Sequence, residues 1–265
     1  MLSSDCGVTP SASKSAKTST SPSWIRGLAD GVVAVLLAPS CAACGQALLE
    51  PTRGPVCCVC WNGIQALTPP LCDRCGDPLP SWRAISIVEA RCPRCRRRTS
   101  SITCSRAIGA YAGALRDVIH ALKYGRRRSI ARELGRRMQR ACEEVLNGAS
   151  VAVPVPLHRS RQRTRGFNQA AELARHLGLP RLRALTRVRA TPSQTDLPAA
   201  RRHANVRNAF ALRRGYDVRG LCVVLVDDVS TTGATLEACA SVLMAAGARE
   251  VRAVTAARVA SRPHE

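Results

Sequence analysis

Apolar runs alternate with amphipathic stretches along the second half of the chain. The runs at 151–157, 221–226 and 250–257 are short and rich in Val, Leu and Ala, which is typical of buried strands. The stretches at 168–177 and 234–246 place apolar residues at helical spacing. Strands that alternate with helices form parallel sheets, so the pattern predicts an α/β fold built on a parallel sheet.

The first 37 residues follow a different pattern. Residues 1–22 are rich in Ser, Thr, Ala and Lys, which predicts a disordered tail, and the stretch from Trp24 to Leu37 predicts a short helix. The longest apolar run, Val32 to Ala38, is far shorter than the roughly 20 residues that a membrane span needs. No signal-peptide cleavage motif follows it. We therefore expect a cytoplasmic protein without a membrane span.

Eight of the 14 cysteines form four C-x-x-C pairs. Two such pairs can supply the four thiolates of a tetrahedral zinc site. The paired residues are Cys41 and Cys44, Cys57 and Cys60, Cys72 and Cys75, and Cys92 and Cys95. Sequential pairing predicts two structural zinc ions, and an interleaved pairing, first pair with third and second with fourth, stays open at this point. Disulfides are disfavoured because no export signal precedes the pairs.

The segment 223–240 carries the most specific chemistry in the chain. Four apolar residues precede two acids, Asp227 and Asp228. The run that follows is Ser230, Thr231, Thr232, Gly233, Ala234 and Thr235. A strand that turns through a Thr/Gly loop into a helix offers N–H groups and hydroxyls to a phosphate monoester. The carboxylates suit the hydroxyls of an adjoining ribose, so the segment predicts a 5-phosphoribosyl site rather than an ordinary turn with a Thr cap.

A cluster of arginines follows the apolar run at 151–157. It consists of Arg159, Arg161, Arg163 and Arg165. We expect these residues to form a cationic loop at the end of a strand, where open parallel sheets bind their ligands. Such a loop suits pyrophosphate.

The chain is strongly basic, with 40 Lys and Arg against 18 Asp and Glu and a net charge of +22. Residues 91–140 carry 15 basic and 2 acidic residues, and residues 158–219 carry 15 and 3. Such fields attract polyanions, which makes single-stranded DNA or another nucleic acid a candidate partner beside a small pyrophosphate compound. Trp61 and Trp82 are candidate platforms for base stacking. A solvated surface that favours solubility is the competing interpretation.

Several segments in the same order resemble the ComF family. They are YAGALRDVIHALKYGRR, VPVPLHRSRQRTRGFNQAAELA, TPSQTDLPAARRHANVRNAF and VVLVDDVSTTGAT. The family joins a cysteine-rich zinc module to a type I phosphoribosyltransferase-like domain. The resemblance implies an α/β fold whose parallel sheet carries helices on both faces. It also implies a double zinc-ribbon module at 38–104 and a phosphoribosyltransferase-like domain at 105–265. The predicted tail and short helix at 1–37 lie outside the resemblance.

The resemblance further implies roles for the candidate residues. Asp227 and Asp228 would contact the ribose of phosphoribosyl pyrophosphate (PRPP), residues 230–235 would hold its 5-phosphate, and Mg²⁺ would accompany it. Gln194, Arg201 and Arg202 would belong to a mobile loop that closes over the substrate, unless they form a basic surface loop. ComF-like proteins are linked to DNA uptake in natural transformation, which makes the competence machinery an implied partner. No residue stands out as the general base for an acceptor, so a non-catalytic PRPP site in a nucleic-acid-binding protein stays open beside a transferase.

Overall fold

The computed structural model describes residues 23–80, 90–125, 127–189 and 208–259. Its helices are α1 (Ser23–Leu37), α2 (Cys58–Asn62), α3 (Pro93–Arg97), α4 (Gly113–Tyr124), α5 (Ile130–Ala141), α6 (Glu143–Leu146), α7 (Arg159–Arg165), α8 (Gln169–Ala174) and α9 (Ala234–Ala245). Its strands are β1 (Ser105–Ala110), β2 (Val151–Pro154), β3 (Leu185–Arg187), β4 (Phe210–Leu212), β5 (Cys222–Ser230) and β6 (Glu250–Arg258).

The core is a four-stranded sheet in the order β1-β6-β5-β2, and every neighbouring pair is parallel. Its side chains alternate between two apolar clusters. Val224 and Val226 belong to the cluster on one face, whereas Val223 and Leu225 belong to the cluster on the other. Helices α4, α5 and α8 pack on the first face and α9 on the second. The predicted parallel sheet with helices on both faces is confirmed.

The parallel arrangement brings the carboxyl ends of all four strands to one edge of the sheet. The predicted strand at 151–157 ends earlier, at Pro154, because Pro156 has no N–H to donate to a ladder. The predicted strand at 221–226 instead extends to Ser230, so that β5 carries both acids within the strand itself. A separate two-stranded antiparallel sheet is formed by β3 and β4, in which Arg187 pairs with Phe210. The predicted mobile-loop residues Gln194, Arg201 and Arg202 lie outside the described residues.

The cysteine-rich segment packs against the sheet through its backbone. Ala66 pairs with Gly109 of β1, and Ser105 N donates to Arg74 O at 2.7 Å. Gly76, with φ of +69°, approaches β1 so closely that an added Cβ would lie 2.7 Å from Ser105 O. Helix α1 is attached to the first ribbon, since Asp30 Oδ1 accepts a hydrogen bond from Thr52 N at 2.8 Å. No helix within the described ranges combines the length and apolarity that a membrane crossing requires.

Candidate functional site

The Thr/Gly loop connects the end of β5 to the N-terminus of α9. Gly233 adopts the left-handed conformation with φ of 77° and is the N-cap of α9, so no side-chain oxygen at that position caps the first turn. Thr232 Oγ1 accepts a hydrogen bond of 3.4 Å from Ala234 N. Ser230 Oγ is buried and lacks a hydrogen-bond partner within the described part of the chain. The loop therefore presents amides and hydroxyls, as an anion site requires.

The acid pair stands directly before this loop. Asp228 Oδ1 lies 3.0 Å from Lys123 Nζ of α4, and the two side chains are only 13 and 15% exposed. Asp227 Oδ1 accepts a hydrogen bond from the amide of Asp228 at 2.9 Å. Burial and the negative charge of Asp228 raise the pKa of Asp227 to about 7, against the opposing charges of Lys123 and Arg187. Asp227 therefore takes up and releases a proton near neutral pH.

Two further cations stand near the acids. Lys123 is buried, which disfavours its charge, yet the carboxylates of Asp228 and Asp227 raise its pKa above the ordinary value. Burial and the positive charge of Arg161 lower the pKa of Arg187, whereas Asp227 raises it. The guanidinium carbon of Arg187 lies 5.4 Å from the centre of the Phe210 ring. Positive charges from α4 and β3 are thus placed close to the acid pair at one edge of the sheet.

The predicted cationic loop at 159–165 is wrong as local structure, because the segment forms helix α7. His158 Nδ1 caps it by accepting from Ser160 N at 3.3 Å, and Gly166 ends it in the left-handed conformation. The helix divides the four arginines: Arg161 and Arg165 are half-buried, and Arg159 and Arg163 are exposed. Arg165 packs on Tyr124, with its guanidinium carbon 5.2 Å from the ring centre and Nη2 3.4 Å from the hydroxyl.

The cysteines form two clusters of four. Cys41, Cys44, Cys57 and Cys60 make the first, and Cys72, Cys75, Cys92 and Cys95 make the second, with the sulfurs of each within 4.8 Å of one another. This geometry matches the sequential pairing and not the interleaved one. The Sγ separations of 3.9 Å for Cys41–Cys60, 3.8 Å for Cys44–Cys57 and 3.7 Å for Cys75–Cys92 fit a zinc tetrahedron, since Zn–S bonds of ~2.3 Å imply edges of about 3.8 Å.

Amide donors surround these sulfurs as they do around metal-bound thiolates. The amides of Cys57 and Cys92 donate to Cys41 Sγ and Cys72 Sγ, each at 3.3 Å. Such bonds stabilise the negative charge of a thiolate ligand. The donor set therefore suits zinc. The cysteines that the structure describes form no disulfide.

The second ribbon touches the Thr/Gly loop. Arg94 of α3 donates from Nη1 to Thr232 O at 3.4 Å and from Nη2 to Asp77 Oδ2 at 3.5 Å. Asp77 also accepts a hydrogen bond from Nε of Arg258, at the end of β6. Burial lowers the pKa of Arg94, but a hydrogen bond to Cys75 and the charges of Cys75 and Asp77 raise it by more. The loop is thus flanked on one side by the cysteine-rich module.

Several of these residues were missed by sequence reasoning. Lys123 belonged to a segment that resembles the family pattern but received no role, and nothing local marks Asp77, Arg94 or Arg187 among many charged residues. Trp61, predicted as a stacking platform, has the guanidinium carbon of Arg137 5.0 Å from its ring centre. Trp82 lies outside the described residues.

Comparison with known proteins agrees with this geometry. Residues 163–265 match the model of the phosphoribosyl transferase domain, and residues 32–96 match that of the double zinc ribbon domain. DNA utilization protein YhgH of Salmonella typhimurium is 34% identical, over 80% of this chain and 87% of that protein. Competence protein F of Haemophilus influenzae is 31% identical, over 77% of this chain and 90% of that protein.

A more distant relative, competence protein ComFC of Bacillus subtilis, is 26% identical over 76% of this chain and 82% of its own length. All three alignments span most of both chains. Together with the two domain matches and the two four-cysteine clusters, these similarities show that the chain belongs to the ComF family of zinc-ribbon and phosphoribosyltransferase-type proteins.

Proposed function

We propose that the protein binds PRPP with Mg²⁺ at the carboxyl edge of the sheet and transfers the phosphoribosyl group to an acceptor. The observation that carries this proposal is the meeting of the acid pair, the Thr/Gly loop and cations from α4 and β3 at one edge. Each supports a different part of the ligand. The loop suits the 5-phosphate, the acids suit the ribose hydroxyls, and the cations suit the pyrophosphate.

Among the four predicted pyrophosphate ligands, burial favours two. Arg161 and Arg165 are half-buried. The charge of Arg161 also lowers the pKa of Arg187, which lies near the acids. Arg159 and Arg163 are exposed and would contact pyrophosphate only if their side chains turn back to the site. Lys123 is a fifth candidate, because its charge already lies beside Asp228.

In the proposed reaction the anomeric C–O bond to pyrophosphate breaks and a bond from the acceptor forms. The transition state has oxocarbenium character, as in other glycosyl transfers. Asp227 and Asp228 would orient the ribose hydroxyls, and Lys123, Arg161 and Arg165 would stabilise charge that accumulates on the departing pyrophosphate. Bound Mg²⁺ would supply further neutralisation of that charge. The acceptor proton would pass to solvent, because the acid pair is assigned to the ribose hydroxyls and no other described residue at this edge is an evident general base.

We also propose that the two cysteine clusters each hold one structural zinc ion. The cytoplasm keeps such thiols reduced, so we assign the protein to that compartment. The proposed division of the chain remains a cysteine-rich module at 38–104 and a transferase-like domain at 105–265.

Calorimetric titration with PRPP tests the binding proposal. We expect binding in the presence of Mg²⁺ and much weaker binding when EDTA replaces the metal. A second assay follows pyrophosphate release in the presence of candidate nucleobases. Binding without release would support a non-catalytic PRPP site, and an absence of any PRPP binding would reject the proposed function.

A second candidate function, binding of single-stranded nucleic acid, is favoured by a basic stripe on α5. Arg132, Arg136 and Arg140 are all exposed and recur every four residues, which puts them on one side of the helix. Burial and the charges of Arg136 and Arg132 lower the pKa of His176, which shows that both arginines act on the same neighbourhood. Relatives named for competence and DNA utilization are consistent with such a partner. Fluorescence anisotropy with a labelled oligonucleotide at several salt concentrations tests it.

A further inference from the structure

The second zinc ribbon contacts the Thr/Gly loop through the backbone that must bind phosphate. Arg94 Nη1 donates to the carbonyl of Thr232 at 3.4 Å. That carbonyl and the N–H of Gly233 belong to one peptide group, and in a trans peptide they point in opposite directions. When Arg94 holds the carbonyl on the ribbon side, the amide of Gly233 faces the other side.

This peptide group needs such a restraint. Gly233 has φ of 77°, and glycine accepts several backbone conformations at little cost. A flip of the Thr232–Gly233 peptide would turn the amide away from the ligand and present a carbonyl oxygen to a phosphate. An oxygen directed at an anion repels it, so the orientation of one peptide group decides whether the loop attracts or repels phosphate.

Arg94 is itself held by the ribbon. It lies on α3, directly before Cys95 of the second cluster, and its Nη2 is 3.5 Å from Asp77 Oδ2. Asp77 is only 3% exposed and also pairs with Arg258. Arg258 is in turn the register partner of Ser230, the last residue of β5 before the loop. A continuous set of contacts thus joins the cysteine cluster to both ends of the loop.

A second contact fixes the start of α9 to the segment after the ribbon. Glu237 accepts a hydrogen bond from Ser100 Oγ at 2.6 Å and another from Ser101 N at 2.7 Å. Between these two contacts lies a cavity of about 230 Å³, whose lining includes Arg94, Arg258, Ser230 and Gly233. Arg258 Nη2 and Ser230 Oγ are buried and without hydrogen-bond partners in the described part of the chain. The interface is therefore loosely packed around Arg94. If Arg94 is removed, we expect no neighbouring atom to hold the Thr232–Gly233 peptide in its place.

The negative charge of a zinc–thiolate centre favours arginines close to the cluster. A zinc ion with four thiolates carries a net charge of −2, and outer cations stabilise such a centre. Arg94 lies between the cluster members Cys92 and Cys95 along the chain, and its guanidinium contacts both Asp77 and the loop carbonyl. The same side chain thus connects the cysteine cluster to the phosphate loop.

We propose that Arg94 is a positioning residue that couples the second zinc ribbon to the phosphate loop by fixing the Thr232–Gly233 peptide. The coupling rests on the proposed PRPP site. It means that the cysteine-rich module is part of the phosphate site's architecture and that the integrity of the second cluster sets the affinity for a 5-phosphate.

The test compares Arg94→Met with Arg96→Met in the full-length, zinc-loaded protein. Both substitutions remove one arginine from α3, but Arg96 is exposed. For Arg94→Met we expect unchanged zinc content, PRPP affinity reduced about tenfold through loss of one charge-assisted amide contact, and faster amide hydrogen exchange at residues 231–235 without ligand. Arg96→Met should match the parent protein in all three measurements.

The exchange measurement separates the coupling from the proposed function. If the parent protein fails to bind PRPP, the proposed function is rejected, while faster loop exchange in Arg94→Met alone still supports the coupling. Equal loop exchange and equal PRPP affinity in the two variants would overturn the coupling. Loss of zinc from Arg94→Met would also overturn it, because any change in the loop would then follow from the damaged metal site rather than from the lost contact with Thr232.

Discussion

Lys123 Nζ and Asp228 Oδ1 lie 3.0 Å apart, with both side chains more than four fifths shielded from solvent. The acid that we expect to meet the ribose is therefore already neutralised in the ligand-free protein by a lysine from α4. A ligand that contacts Asp228 must share it with Lys123 or displace the lysine. Because the lysine can then turn to pyrophosphate, this exchange keeps both charges compensated.

We predict that Asp228→Asn weakens PRPP binding by about tenfold or more, since a charge-assisted hydrogen bond is lost. The same change leaves Lys123 without its nearest carboxylate, so we also expect the melting temperature to fall by roughly 2–8 °C. Calorimetry and thermal unfolding measure the two effects. The double variant Lys123→Met with Asp228→Asn should regain much of the stability without regaining PRPP affinity. Unaltered PRPP affinity in Asp228→Asn would reject the ribose assignment.

Asp227 should make stability depend on pH. Its folded-state pKa is raised to about 7 by burial and by Asp228, whereas an unfolded aspartate titrates near ~3.9. The folded state therefore binds the proton more tightly than the unfolded state. The stability that this protonation gives the folded state is lost as the pH rises from about 4 to about 7. We expect the melting temperature of the ligand-free parent protein to fall progressively relative to that of Asp227→Asn as the pH rises through that interval. Above the interval the difference between the two melting temperatures should stay constant. Thermal unfolding at pH 5, 6, 7 and 8 measures the difference, and a constant gap at every pH would contradict the assignment.

Elemental analysis should find two zinc ions per chain. Cys60 is a buried member of the first cluster, whereas Cys58 is an exposed neighbour outside it. We expect Cys60→Ser to retain about one zinc and to lower the melting temperature, because metal binding contributes directly to the folding of such modules. Cys58→Ser should retain two. Equal zinc content in both variants would show that the first cluster does not hold the metal.

The basic stripe on α5 should dominate any binding of single-stranded nucleic acid. We predict that the triple variant Arg132→Gln, Arg136→Gln and Arg140→Gln weakens binding at low salt and reduces the salt slope by about 2, because each phosphate contact contributes ~0.7 on a single strand. The control is Arg213→Gln, Arg214→Gln and Arg249→Gln, which removes the same charge from other exposed positions. If the two triple variants lose affinity equally, net charge rather than the stripe drives binding.

The sequence predicted those features that depend only on residues close together along the chain. The C-x-x-C spacing identified the eight candidate ligands, although only the structure decided between sequential and interleaved pairing. The run from Val223 to Thr235 predicted a strand, a turn and a helix in the observed order. The pattern at 159–165 misled because a dense arginine cluster suggests a loop, although the His158 cap and Gly166 favour a helical turn between them. The pairs Lys123 with Asp228 and Asp77 with Arg258 join distant parts of the chain, and no local periodicity encodes such partners.

The pairing of Asp77 with Arg258 joins residues 181 positions apart. A chain made from its N-terminus completes the second cysteine cluster long before β6 leaves the ribosome, and domains can begin to fold during synthesis. Through that interval Arg258 has not yet been synthesised, and Arg94 of the same ribbon is the cation that contacts Asp77. Joining of β6 to the sheet therefore adds a second, buried ion pair to Asp77 and ties the finished ribbon to the last strand of the domain.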